Sequence, residues 1–295
     1  MLGATGTIGS ATVAELRSRG HEVFCFGRAQ GNVSDAASLE RDGFRGQKFD
    51  AVVSCMASRT GLPRDAWAID QHAHSLVLAA AKKYGVQQFV LLSAICVQRP
   101  KLAFQNAKLA FEAELIASGL SYSIVRATAY FKSLSGQVAR VQKGKPFLVF
   151  GDGRMTACKP ISDLDLARYL ANCLDDSRMQ NAILPVGGPG PAITPIEQGK
   201  ALFKLLGMAP KFRHVPVRLL DVIIFGLSVL GLKDKAELAR IGRYYATESM
   251  LAWNAATGSY DEEATPSFGS DTLKDFHAKL IKGEANVDLR EHSVF

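Results

Sequence analysis

The sequence predicts an α/β protein with a Rossmann-type parallel sheet, helices on both faces of that sheet, and a smaller C-terminal region. Two observations predict this class. Short β-rich runs alternate with longer helical runs from the start of the chain to about residue 150, and this alternation is typical of βαβ units. The first helical run is opened by a glycine-rich segment at residues 3–9, which permits a sharp turn from strand to helix.

The individual elements follow from the hydrophobic pattern and from glycine stops. Apolar runs predict strands that are buried on both faces at residues 23–26, 51–55, 89–92 and 122–125. Helical periodicity covers residues 8–19, 66–84 and 102–117. The glycines that follow these helices are Gly20, Gly85 and Gly119. Each stands where a left-handed residue commonly ends a helix.

Residues 3–9 read Gly-Ala-Thr-Gly-Thr-Ile-Gly and have the GxxGxxG spacing of a dinucleotide-binding loop. The first glycine permits the tight turn, the second lets the backbone approach a pyrophosphate, and the third lets the helix pack closely. The helix N-terminus adds free N–H groups for the phosphates. We therefore predict cofactor contacts from Gly3, Thr5, Gly6, Thr7, Ile8 and Gly9. The alternative is that the run is an ordinary turn.

The predicted strand at residues 23–26 would be the second strand of the sheet, after the residues that precede Gly3. It leads through Gly27 to Arg28, and no acidic residue stands there. A carboxylate at this place would select NAD, whereas an arginine accommodates the extra phosphate of NADP. Arg28 therefore favours NADPH, and the alternative is an ordinary surface arginine. Only two residues precede Gly3, and the chain between Arg28 and Asp35 is too short for a helix and a strand. The first and third strands of the sheet are therefore expected to be truncated.

The regular alternation of strand and helix patterns ends after residue 150. Turn-forming glycines and prolines cluster at residues 151–153 and 185–191, and helical runs follow at residues 197–206 and 235–251. We therefore expect residues 1–150 to form an NAD(P)-binding Rossmann domain. Residues 151–295 are expected to form a smaller substrate-binding region.

Composition limits the partners. The net charge of +7 comes from lysines and arginines scattered over 295 residues, which argues against nucleic acid and suits anionic small molecules. The five cysteines form no CxxC pair, which predicts a reducing compartment and no metal site. No leader segment is evident, so we expect a cytoplasmic protein. The apolar run at residues 222–232 is far shorter than the about 20 residues of a membrane span. It is interpreted as a buried or interfacial helix, and a core helix is the favoured hypothesis.

Long segments of the chain resemble the NmrA-like branch of the short-chain dehydrogenase/reductase superfamily, and within it the divinyl chlorophyllide 8-vinyl reductases of chlorophyll and bacteriochlorophyll synthesis. The segments that carry the resemblance include GATGTIG (3–9), FVLLSAICVQ (89–98), AFQNAKLAFEAELIASGLSYSIVR (103–126), GKPFLVFGDG (144–153) and GGPGPAITPIEQG (187–199). The resemblance implies NADPH as hydride donor. It also implies reduction of the 8-vinyl group of divinyl chlorophyllide or protochlorophyllide to ethyl.

The resemblance also implies site residues. Superfamily members usually carry Tyr-x-x-x-Lys on a helix, and Phe104 and Lys108 stand at the corresponding positions. The lysine is thus expected to hold the nicotinamide ribose and to be the one catalytic residue, and a mechanism through a tyrosine acid is not expected. The alternative for Lys108 is a solvated lysine paired with Glu112. Ser93, at the end of its strand, and Ala57 are expected to contact the cofactor.

Substrate contacts are expected from Arg59, Tyr130, Phe131 and Lys132, which follow predicted strands. A loop arginine and an aromatic pair in the core are the alternatives for these positions. The resemblance also leaves open that the run at residues 222–232 is a lid or meets the photosynthetic membrane. Two other functions stay open as well: a catalytically silent NADP sensor of the NmrA-like branch, and an enone or quinone reductase similar to isoflavone reductases.

Overall fold

A computed structural model describes residues 1–285 of the chain. The chain forms two compact units. Unit 1 comprises Met1–Ala127 and Asp163–Val186, and unit 2 comprises Thr128–Ser162 and Gly187–Phe295. The chain thus passes between the units three times, whereas the sequence suggested one passage at residue 150. Part of the predicted second region returns to unit 1 because a strand there completes its sheet. Residues 286–295, the end of that predicted region, lie outside the described residues.

The described residues contain eight strands. In chain order they are β1 (Ala51–Ser54), β2 (Gln88–Ala94), β3 (Ser121–Ala127), β4 (Phe147–Phe150), β5 (Ala182–Val186), β6 (Phe212–Val215), β7 (Ala252–Asn254) and β8 (Ser259–Asp261).

The α-helices of the described residues number eleven. They are α1 (Thr7–Ser18), α2 (Ala36–Ser38), α3 (Pro63–Ala66), α4 (His74–Lys83), α5 (Ala103–Ile116), α6 (Val138–Gln142), α7 (Asp163–Asp175), α8 (Pro195–Leu205), α9 (Val217–Val229), α10 (Lys233–Thr247) and α11 (Leu273–Lys282). A π-helical segment, Trp67–Ala73, joins α3 to α4, and a second one, Leu39–Phe44, follows α2.

Unit 1 is built on a parallel sheet in the order β1-β2-β3-β5. The sequence missed β5, because Pro185 and the glycines after it suggested a loop. Pro185 fits there since β5 has a partner on one side only, and proline is tolerated on an edge strand. The helices α1 and α7 pack against each other, and α4 contacts α5. The predicted α/β class with a helix-flanked parallel sheet is therefore confirmed.

Beyond β1 the sheet is continued by single bridges instead of full strands. Leu2 makes parallel bridges to both Phe26 and Ser54. The predicted strand at residues 23–26 is therefore wrong in extent: only Phe26 is bridged, because only Met1 and Leu2 lie beside this segment. Residues 27–50 contain no strand.

The predicted helices of unit 1 match α1, the continuous helical segment 63–83, and α5 to within three residues at each end. Their glycine stops are confirmed, with φ of +87° at Gly20, +71° at Gly85 and +82° at Gly119. Glycine tolerates these left-handed angles because it has no β-carbon. The hydrophobic pattern and the stops were therefore sufficient to find these helices.

Unit 2 has a separate core, in which buried side chains of α6, α8 and β4 pack together. The pair β4-β6 is parallel and β7-β8 is an antiparallel hairpin. The interpretation of residues 222–232 as a core helix is wrong: α9 has no buried residue. No helix within residues 1–285 is long and apolar enough to cross a membrane.

A buried histidine links β1 to the helical layer of unit 1. The Nδ1 of His74 donates to the carbonyl oxygen of Ile69 at 2.9 Å, so its neutral Nε2 accepts from Ser54 Oγ at 2.8 Å. The ring packs against Phe111 at a centroid distance of 4.8 Å. Burial lowers the pKa of His74 to about 4, since a charged ring would lose its hydration there.

This low pKa makes the stability of the protein fall in mild acid. Between the unfolded pKa of 6.5 and the folded value of about 4, the unfolded state binds more protons, so unfolding becomes easier as the pH falls through that range. The full effect of one such histidine is about 3 kcal/mol. Replacing His74 by glutamine should reduce the stability lost between pH 7 and pH 5 by about 2 kcal/mol, measured by urea unfolding.

The matched control is His72→Gln, because His72 is exposed. Burial also lowers the pKa of His277 to about 4, and that contribution remains in both variants. An unchanged pH dependence in His74→Gln would show that His74 does not titrate in this way.

Candidate functional site

The glycine-rich loop in unit 1 joins Leu2 to α1 through a turn that requires glycine at two positions. Gly3 has φ of +69°, and a β-carbon on it would lie 2.6 Å from the carbonyl carbon of Cys55. A β-carbon on Gly9 would lie 2.0 Å from the carbonyl oxygen of Gly3. Atoms in contact normally stand about 3.5 Å apart or more. Any side chain at Gly3 or Gly9 would therefore displace the backbone of the loop.

The N-terminus of α1 is open at Gly6. The nearest atom to a β-carbon built on Gly6 is the Gly3 carbonyl oxygen at 3.4 Å, and no side chain caps the helix. Within residues 1–285 the backbone N–H groups of Ile8 and Gly9 have no acceptor, and the first turn carries no acidic residue. Free N–H groups and the helix dipole make this end a suitable binding place for a pyrophosphate. Thr5 and Thr7 are exposed beside it.

Arg28 lies in a turn directly after the bridge at Phe26. Its side chain is exposed and has no hydrogen-bond or ion-pair partner in the part of the chain that the structure describes. The guanidinium therefore has all five of its N–H donors available for a phosphate.

Lys108 lies on α5 and is largely buried, with 13% of its side chain exposed. Its Nζ donates to Asp70 Oδ1 at 2.8 Å, so the expected alternative, a solvated pair with Glu112, is wrong. Such a pair on the helix surface would leave both charges in water, whereas the observed one is inside unit 1. An ammonium group has three N–H donors, and two of those on Lys108 are left for a ligand.

Asp70 fixes the position of the lysine and is tied to the loop after β1. Its Oδ1 also accepts from the backbone N–H of Ser58 at 3.2 Å. The side chain is fully buried, and its Oδ2 has no partner within residues 1–285. A buried carboxylate is costly unless it is paired, so Asp70 requires the charge of Lys108. Because Ser58 follows Cys55, which touches Gly3, this chain of contacts links the lysine to the glycine-rich loop.

Ser93 lies at the end of β2, directly opposite Arg126 on β3. Its Oγ donates to Glu112 Oε1 at 2.5 Å, and Glu112 Oε2 accepts from Arg126 Nη2 at 2.5 Å. The hydroxyl proton of Ser93 is thus committed to Glu112. The oxygen of Ser93 can serve a ligand only as an acceptor.

The remaining predicted residues fall into two groups. Ala57 and Arg59 are exposed in unit 1, in the loop between β1 and α3. In unit 2, Tyr130 and Lys132 are half-buried. Phe131 is buried and packs against Phe276 at a centroid distance of 5.5 Å. The burial of Phe131 favours the alternative considered for this position, an aromatic side chain of the core.

Comparison with known proteins identifies the family of the chain. A family described as NAD(P)H-binding matches residues 3–177. The divinyl chlorophyllide a 8-vinyl-reductase of Oryza sativa subsp. indica is 46% identical, over 99% of this chain and 81% of the rice protein. The protein of the same name from Arabidopsis thaliana is also 46% identical, over 99% of this chain and 78% of that protein. The chain belongs to the divinyl chlorophyllide a 8-vinyl reductase family. The names of both relatives place them in the chloroplast.

The alignment with the rice relative contains gaps in the sequence of this chain. The alignment to the rice relative runs over 327 positions, whereas the chain has 295 residues, so at least 32 positions are gaps on the side of this chain. Among solved structures, the NADPH-dependent quinone oxidoreductase QOR2 of Escherichia coli, complexed with NADPH, has a TM-score of 0.69 at 17% identity. The match covers 95% of this chain and 98% of that one, and it supports the fold.

Sequence reasoning missed the acidic partners of the site. Asp70 and Glu112 pair with Lys108 and Arg126, and each pair joins two different elements. The only available signal was the presence of carboxylates inside helical runs that are otherwise apolar. The spacing of residues along one helix could not identify partners on another.

The structure predicts that an alanine at Gly9 destabilises the protein. The added methyl group would overlap the Gly3 carbonyl oxygen, and the forced shift of the loop should cost about 2 kcal/mol or more. Urea unfolding of Gly9→Ala measures this cost. The matched control is Gly226→Ala, a helical position with open space around it, where alanine should be neutral or stabilising by up to about 1 kcal/mol. Equal stability of the two variants would contradict the close approach at Gly9.

Proposed function

We propose that this protein reduces the 8-vinyl group of divinyl chlorophyllide or divinyl protochlorophyllide to an ethyl group with NADPH. The observation that carries the proposal is an intact dinucleotide loop in a chain that is 46% identical, over nearly its whole length, to proteins named for this reaction. The loop fits the cofactor because Gly3 and Gly9 let the backbone turn and pack, and the open end of α1 offers N–H groups to phosphate.

The preference for NADPH over NADH is part of the proposal and is supported by Arg28. This exposed arginine follows the segment bridged to Leu2, the place where the adenosine ribose is bound in Rossmann folds. An unpartnered guanidinium can bind a 2′-phosphate with two parallel hydrogen bonds. A hydroxyl group at the same place would leave that charge unused.

Bound NADPH would supply a hydride, and the reaction adds one hydride and one proton across the vinyl double bond. The conjugated macrocycle can delocalise the negative charge that develops, so the protein mainly orients the reactants and excludes water. This division of roles is consistent with Phe104, which has no hydroxyl group to act as an acid. It also agrees with the commitment of the Ser93 proton to Glu112.

In this proposal Lys108 is the residue that holds the nicotinamide ribose, and Asp70 is the residue that positions it. The buried ion pair directs one N–H of Lys108 toward Asp70 and leaves two for the ribose hydroxyl groups. A lysine side chain without such a partner would lose orientation, because its four-carbon stem has several rotatable bonds.

The substrate contacts complete the proposal. In unit 1, Arg59 is proposed to contact the substrate. In unit 2, Lys132 is proposed to offer a cationic group to the pigment and Tyr130 an aromatic ring. Ala57, in the loop with Arg59, is proposed to contact the cofactor. The location of this chain stays an expectation from its sequence, and the names of the relatives place those proteins in the chloroplast.

The test is turnover by the purified protein. We expect conversion of divinyl chlorophyllide to the product that is two hydrogens heavier, detected by mass spectrometry together with NADPH oxidation. Arg28→Ala should lower kcat/KM for NADPH by about tenfold, the loss of a charge-assisted contact, and leave kcat/KM for NADH unchanged. The control is Lys82→Ala, which also removes an exposed cationic side chain of unit 1. Cofactor binding without turnover would instead indicate an NADP sensor. Turnover of a quinone, without turnover of the pigment, would indicate a different reductase.

The Asp70–Lys108 pair gives a sharper prediction. Lys108→Met should weaken NADPH binding by about tenfold, and Asp70→Asn should weaken it less, because the amide oxygen still accepts from the ammonium group. The effect of Asp70→Asn should vanish when Lys108 is already methionine, which a double-mutant cycle of dissociation constants measures. Lys82→Met is the matched control. Additive effects would show that Asp70 does not act through Lys108.

A further inference from the structure

The outer face of α9 in unit 2 is a continuous apolar surface. Four of its side chains are among the most exposed apolar groups of the described chain: Val222 at 66%, Phe225 at 71%, Val229 at 70% and Leu230 at 73%. Positions 222, 225 and 229 follow one another at helical spacing of three and four residues and therefore form one row. Leu219 and Ile223 extend the surface in a neighbouring row. We call this set of six residues the α9 surface.

The helix α10 packs against α9. Asp221 accepts from Arg243, and Ser228 Oγ accepts from Arg240 Nη2 at 3.2 Å. Asp221 and Ser228 stand four residues before and three residues after Phe225, so these bonds join α10 to α9 along one edge of the exposed row. The exposure of the α9 surface is thus a property of a helix that is anchored along its length by polar bonds.

Cationic side chains flank α9 in the sequence, and these flanking residues are called the border of the α9 surface. Five of them have no side-chain partner in the part of the chain that the structure describes: Lys211, Arg213, Arg218, Lys233 and Lys235. The acidic residues of the same segment are mostly neutralised, because Asp221 pairs with Arg243 and Glu237 with Arg240. Asp234 is the remaining carboxylate of residues 211–245. The border therefore carries a net positive charge.

We propose that the α9 surface docks the protein on an anionic lipid bilayer, with α9 lying in the plane of the interface. Large apolar side chains on one face and lysines and arginines at its border are the features of helices that bind membrane surfaces. The apolar groups enter the acyl boundary, while the long basic side chains reach the negatively charged headgroups. The inference does not rest on the proposed reaction.

The positive charge at the border of the α9 surface favours a bilayer, and not a second copy of the chain, as the partner that covers this surface. In a two-fold dimer the same surface would face itself, and the five unpartnered cations of each copy would be brought toward those of the other. Like charges in such an arrangement repel, whereas an anionic headgroup layer attracts them. The same border therefore opposes self-association and favours a negatively charged surface.

The experiment is co-flotation of the full chain with vesicles, in the absence of cofactor and pigment. Vesicles of phosphatidylcholine with about 30 mol% phosphatidylglycerol, an anionic lipid that attracts basic side chains, are compared with vesicles of phosphatidylcholine alone. We expect flotation with the anionic vesicles, which decreases with added salt. The triple variant Val222→Gln, Phe225→Gln, Val229→Gln should bind at about a tenth of the wild-type level or less.

The matched control for the apolar variant is Leu164→Gln with Met155→Gln, which replaces exposed apolar residues outside the α9 surface. A charge variant, Arg218→Gln, Lys233→Gln, Lys235→Gln, should lose binding to anionic vesicles, whereas Lys82→Gln, Lys143→Gln, Lys145→Gln, at exposed lysines elsewhere, should keep it. Thermal unfolding verifies that each variant is folded. We expect the variants to fold, because glutamine is a good helix former.

Three results would overturn the proposal. The first is flotation by the α9 triple variant equal to that of the wild type, and the second is no flotation of the wild type at all. The third is a concentration-dependent dimer that the triple variant abolishes, which would assign the α9 surface to a second copy of the chain. Neither result bears on turnover of a pigment, so failure here and failure of the proposed reaction are distinguishable.

Discussion

The contact between Gly3 and the end of β1 positions the rest of the candidate site in unit 1. Leu2 is bonded on both sides, to Phe26 and Ser54, and the chain must then turn at once into α1. The turn passes so close to Cys55 that no β-carbon fits at Gly3, and α1 returns so close that none fits at Gly9. This approach presents the N-terminus of α1 beside the loop after β1. A phosphate-binding place made of backbone N–H groups follows directly from it.

The second constraint is the charge carried by α5. Lys108 and Glu112 stand one turn apart on this helix, where a pair between them would be the ordinary expectation on a solvated surface. Both are largely buried, and each is paired with another element: Lys108 with Asp70 in the preceding helical segment, and Glu112 with Arg126 on β3. Removing one member of either pair would leave an unpaired charge in the interior of unit 1. The two pairs thus fix α5 against its neighbours and orient Lys108 for a ligand at the same time.

Unit 2 differs from unit 1 in where its apolar residues lie. Its core is formed by α6, α8 and β4, while α9, the most apolar helix by sequence, remains outside and is held by polar bonds to α10. A protein that acts on an amphipathic pigment benefits from a surface that brings it to the place where such molecules partition. In our two proposals, unit 1 binds the cofactor and unit 2 attaches the protein to a membrane surface.

The sequence by itself determined the α/β class, the main helices and strands of unit 1 and the glycine-rich loop, because these depend on local periodicity and on residue types that few other structures require. Only the tertiary structure decided the partners of Lys108 and Glu112, the burial of Phe131, the edge strand β5 and the exposure of α9. These depend on which elements meet in space, and an apolar run such as residues 222–232 has the same pattern whether protein or another surface covers it.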